Sequence, residues 1–71
     1  MESLLTQQRM DEITKYWTVK AMQEYGGSFV KNLGAALQSA DAYNTLRIQQ
    51  AFPDYIEQYM DIGLKMKKNE E

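Results

Sequence analysis

Three breaks decide what this chain can become: Gly26-Gly27, the Ser39-Ala40-Asp41 step and Phe52-Pro53. Glycine alone accepts positive φ without a Cβ clash, so the pair is a natural end for a helix before it. Ser28 is then expected to cap the next helix through its hydroxyl, and Asp41 the one after through its carboxylate. Proline disfavours the α conformation at Phe52 and itself suits the first turn of a new helix. Asp54 and Glu57 place negative charge near that helix's positive end.

Between the breaks the apolar residues recur at helical spacing. Phe29, Val30, Leu33, Ala36, Leu37 and Ala40 mark a helix over 28–40, with Lys31, Asn32, Gln38 and Ser39 mostly on its other side. Gly34 costs that helix about 1 kcal/mol relative to alanine and is expected where another helix approaches closely. A weaker pattern follows Asp41, carrying Tyr43, Leu46, Ile48, Ala51 and Phe52. Beyond Pro53, one broad side carries Tyr55, Ile56, Tyr59, Met60 and Gly63 or Leu64.

Before the glycines, residues 2–25 read as one long helix. Leu4, Leu5, Met10, Ile13, Trp17 and Ala21 make a stripe that Tyr16 and Met22 widen, and Thr6 is an alternative cap. Asp11 with Lys15, and Tyr16 with Lys20, can pair four residues apart. Lys65, Lys67 and Lys68 suit the negative end of the last helix, and 65–71 are expected to be a frayed, solvated tail. The expected fold is all-α: a single domain over 1–71, a small bundle of three to four helices. In it the long N-terminal helix packs across a compact unit spanning 28–64.

Composition then limits the chemistry. A chain of 71 residues buries only about 60–65% of the surface its unfolded form exposes, so its core is thin. With no cysteine and no histidine, neither disulfides nor the usual structural zinc sets can help. Helix packing or oligomerisation remains. The same absences remove the common hydrolase and cysteine-protease triads, and the glycine pair lacks the GK[ST] of a phosphate loop. The carboxylate pairs Asp11-Glu12, Asp54-Glu57 and Glu57-Asp61 read as solvated faces, because so small a chain has little interior in which to raise a pKa. No EF-hand spacing occurs. The expectation is a non-enzyme with no catalytic, cofactor-binding or metal-binding residue.

A net charge of −2 offers no basic excess for a phosphate backbone, which disfavours nucleic acid as a partner. The segment from Phe29 to Ala51 superficially allows a helix-turn-helix, yet its second helix offers Arg47, Asn44, Gln49 and Gln50 with almost no phosphate-contacting charge. Tyr43, Tyr55 and Tyr59 could stack bases, but Arg47 is the only basic residue between Lys31 and Lys65. No apolar run approaches the roughly 20 residues that span a bilayer. The first residues lack the basic start and apolar stretch of a signal peptide, so a cytoplasmic location without a membrane is expected.

The string Tyr25-Gly26-Gly27-Ser28-Phe29, the Ala40-Asp41 step with Asn44, and the closing Ile48, Ala51-Phe52-Pro53 and Tyr59 together resemble a group of short uncharacterised bacterial and phage proteins. The resemblance covers roughly half of the chain, from Tyr25 to Tyr59. It implies a small all-helical protein borne by a phage or mobile element, and brings no activity and no site residue with it.

The functional expectation is a small protein-interaction module, a phage or mobile-element accessory protein that occupies a surface on a host or viral protein. Five methionines, five tyrosines and a tryptophan in so short a chain suit an adaptable binding face. Met10, Tyr16, Trp17, Met22 and Tyr55 are the expected partner-binding residues. Trp17 has two readings: the plug of the core, or an anchor for a partner or a second copy. The alternatives are a homo-oligomeric structural protein using the same stripe and, behind it, a helix-turn-helix-like nucleic-acid binder.

Overall fold

Asp11 opens the first helix by accepting a hydrogen bond from the amide of Thr14 at 2.7 Å, and Asp41 opens the third through the amide of Asn44 at 2.8 Å. A computed structural model describes residues 8–70. It contains α1 (Glu12–Tyr25), α2 (Ser28–Ser39), α3 (Ala42–Ala51) and α4 (Pro53–Glu70), and no strand among the described residues. Among the described residues the expected all-α bundle is thus a compact four-helix fold. Its radius of gyration of 11.1 Å matches the value of about 11 Å for a folded chain of this length. α1 makes its most extensive contacts with α4 and then with α2.

The breaks fall where the sequence places them, with two differences in chemistry. Neither glycine has a positive φ: Gly26 lies at −82° and Gly27 at −76°. Gly26 is required by space instead, since a Cβ there would fall on the side chain of Val30. Gly27 rather than Ser28 is the cap of α2, and no side chain caps that end.

Both ends of the chain depart from expectation. Residues 8–11 are not helical, so α1 starts at Glu12 and not near residue 2. The cause is local: the Asp11 carboxylate takes the amide that a continuing helix would have used. Leu4, Leu5 and Thr6 lie outside the described residues. At the other end α4 runs on to Glu70, where a frayed tail was expected from residue 65. Met66 packs against the core and Lys20 of α1 lies 3.6 Å from the Glu70 carboxylate, so the last turns have partners.

Helix crossings are set by glycine. Gly34 meets α1 at Met22, whose Cβ would stand 3.0 Å from an added methyl, as its place in a small-residue run suggests. Gly63 does the same for α4, where an added Cβ would fall on the Trp17 carbonyl. Met22, Leu37 and Ile56 fill the centre, fully buried, with Val19, Val30, Leu33, Tyr59 and Met60 around them. Trp17 is only half-buried and is not the core plug.

The buried face of α1 is rotated from the expected stripe. It carries Lys15, Thr18, Val19, Ala21 and Met22, while Ile13 is 62% and Tyr16 58% exposed. Thr18 and Ala21 are small enough to sit under the Gly63 crossing; an indole is not. Lys15 does not pair with Asp11. Its ammonium donates to the carbonyl of Ala40 at 2.7 Å and to the Thr45 hydroxyl at 3.0 Å, closing the C-terminal end of α2. Gln49 completes the polar interior. Its Oε1 accepts from the Met10 amide at 2.8 Å and its Nε2 donates to the Gln8 carbonyl at 2.8 Å, holding the segment before α1 against α3. Among the described residues no buried side-chain nitrogen or oxygen lacks a hydrogen-bond partner, which is what a thin core with four buried polar residues requires.

Candidate interaction surfaces

Two groups of aromatic side chains stand at the surface, and different helices build them. The first belongs to α1. Tyr16 and Trp17 meet edge to face, 5.2 Å between centroids and 89° between planes. The ammonium of Lys20, one turn on, lies 5.0 Å from the Trp17 ring centre and 6.0 Å from that of Tyr16, so the i to i+4 contact of Tyr16 and Lys20 is present. Beside Tyr16 an open groove of about 590 Å³ runs between α1 and α2, walled by Val19, Gln23 and Gln38 and flanked by Glu12 and Glu24.

The second group joins three elements. Phe29 stands in the first turn of α2, Phe52 at the α3–α4 corner and Tyr55 in the first turn of α4. Centroid distances are 5.8 Å from Phe29 to each of the others and 6.4 Å between Phe52 and Tyr55, with tilted and edge-on planes. Such offset contacts are the favoured ones for aromatic quadrupoles. Phe52 is half-buried against the core and holds the cluster in place, while Phe29 is 54% and Tyr55 38% exposed.

The expected partner-binding residues therefore separate. Tyr16 and Trp17 are together on α1, and Tyr55 belongs to the other cluster. Met10 and Met22 are core residues, the latter with no exposed surface, and neither can reach a partner while the fold is closed. Gln49 is likewise fully buried on the segment before α1, so α3 does not present it as a base-reading side chain. Sequence reasoning missed Phe29 and Phe52 as surface groups, because both fit an apolar stripe. It also missed Lys15, although Lys15, Thr18, Val19 and Met22 repeat at helical spacing as well as Ile13 and Trp17 do.

The carboxyl of Asp11 is held below its usual range, first by the backbone amide of Thr14 and then by the Thr14 side chain, so it stays ionised. Among the described residues no three acids, histidines or cysteines come together as a metal would need, and no helix is long and apolar enough to cross a membrane. No protein-family model matches the chain, and no curated protein or solved structure does either.

Proposed function

We propose that this chain is a non-enzymatic protein-interaction module which docks a partner protein on the Phe29–Phe52–Tyr55 cluster. The carrying observation is that three contiguous rings stand at the surface, two of them substantially exposed, where single apolar side chains would need no explanation. Aromatic groups set on a rigid base lose little entropy on contact and dominate binding energy. Asp54 precedes Tyr55 in the first turn of α4, and among the described residues no salt bridge joins it to a cation. The fitting partner presents apolar side chains with a basic residue at their rim, toward Asp54. The resemblance to phage and bacterial proteins supports an accessory role, with a host or viral protein as the partner.

The test is affinity capture from a bacterial host with the parent chain, F29A/Y55A and Y16A in parallel. A stoichiometric partner retained by the parent and Y16A but lost with F29A/Y55A is the expected result, provided circular dichroism shows all three equally helical. Loss with Y16A alone, or no dependence on Phe29 and Tyr55, would refute this assignment.

A further inference from the structure

Phe52 also lines an open groove of about 490 Å³ between α2 and α3. Ile48 and Phe52, both half-buried against the core, form its floor, and Ala36 and Ala51 stand exposed on its two walls. Arg47 is the one charged residue among those that line it. We infer that this groove receives an amphipathic helix of the partner, with a carboxylate on that helix meeting Arg47. The inference rests on the docking role proposed above, since Phe52 belongs to the aromatic cluster and to the groove alike.

Backbone and charge together select this occupant. Both walls are helices, and no strand occurs among the described residues, so the groove has no edge to which an extended peptide adds. The carbonyl of Ala40, at the end of α2, is already taken by Lys15. A guest must satisfy its own backbone and bring side chains alone, as a helix does. From Asn44 to Phe52 the α3 wall runs about 12 Å at about 1.5 Å per residue, room for about two helical turns. Guest side chains one turn apart reach Ile48 and Phe52, which are themselves one turn apart.

Arg47 sets the guest's charge. It is exposed, and no salt bridge holds it among the described residues. Its hydrogen bond to the neutral Asn44 oxygen is long, at 3.5 Å, and the Tyr43 ring centre lies 5.5 Å away. Neither contact supplies a negative charge, and most of the guanidinium donors stay open to a carboxylate. Asp54 follows Phe52 in the chain and has no cation of its own. The guest therefore carries an acid beside α3 and a base at the end that meets the cluster, and this order fixes its direction in the groove.

The test is selection from a displayed library of random peptides, each about 16 residues long, on the immobilised full chain. Retained peptides should carry apolar residues at helical spacing with an aspartate or glutamate among them. Their affinity should fall at least about tenfold on R47E and recover when the peptide's acid becomes lysine. A36W, which fills the groove from an exposed helix position, should abolish binding. Circular dichroism on each chain variant shows that the fold is intact. Peptides without helical spacing, or ones that bind R47E and A36W as they bind the parent, would overturn the inference. If such peptides are lost on F29A/Y55A, the cluster reading survives while the groove does not. Peptides that need Arg47 and ignore F29A/Y55A would instead refute the cluster and keep the groove. An empty selection would overturn both. A parent that dimerises in light scattering while R47E stays at 8.3 kDa would give the groove to a second copy and overturn the inference as well.

Discussion

Gly63 of α4 lies so close to the backbone carbonyl of Trp17 in α1 that no side chain fits between them. This contact fixes the crossing of the two helices that share the most surface, and it does so with backbone, which cannot step aside as a flexible side chain can.

Alanine at position 63 should therefore destabilise the fold. The gain in helix propensity is about 0.8–1 kcal/mol, and forcing a methyl into a packed backbone contact costs typically about 1–3 kcal/mol. Urea titration of G63A should show a lower midpoint with an unchanged slope. A midpoint at or above that of the parent would show that the helices separate freely there.

Lys15 joins α1 to the end of α2 and the start of α3. K15M keeps the aliphatic stem and deletes both hydrogen bonds of the ammonium, which should cost about 1.5–3 kcal/mol in chemical denaturation. Because Thr45 shares that network, T45V on top of K15M should cost less than T45V in the parent. Strict additivity would mean that the 3.0 Å contact between them contributes nothing.

Gln49 has a more local signature. Q49L removes the acceptor of the Met10 amide and the donor to the Gln8 carbonyl. Each bond contributes on the order of 1 kcal/mol. Hydrogen exchange at the Met10 amide should accelerate far more than exchange at core amides of α1 such as Met22. Equal acceleration at both would indicate global destabilisation in place of a released segment.

Acid should act on the start of α1. The Asp11 carboxyl has a folded-state pKa below its unfolded value, so the cap contributes fully above the unfolded value, about 3.9. That contribution is lost as pH falls through the lower, folded value. Asparagine caps helices about as well without titrating. Between about pH 5 and about pH 2, the melting temperature of D11N should fall less than that of the parent; parallel curves would remove Asp11 as a source of acid sensitivity.

Element identity was legible from cap chemistry. Asp41, Phe52-Pro53 and the glycine pair place three boundaries because each acts within a turn of the chain. The facing of α1 was not. Its apolar stripe through Ile13 and Trp17 looked inward by hydrophobicity, yet two glycines on other helices, Gly34 and Gly63, decide where α1 can be approached. They admit the side that bears Thr18, Ala21 and Met22. Buried lysine and glutamine are equally hidden from a one-dimensional pattern, since their partners are the backbone of Ala40, Met10 and Gln8, distant in the chain. The surface clusters were half legible. Tyr16 with Trp17 is a sequence neighbour pair, whereas Phe29, Phe52 and Tyr55 meet only when the α3–α4 corner folds back toward α2.

The pairing of α1 with α4 also sets an order of events during synthesis. α1 emerges from the ribosome before the Gly63 contact and the Ile56, Tyr59 and Met60 side chains that cover its buried face, which arrive with α4. Until then a nascent chain can close only the α1–α2 contact, leaving Thr18 and Ala21 open to water and to proteases or chaperones. Stalled chains ending before Pro53 should be cut readily within α1, and chains extended through α4 should resist.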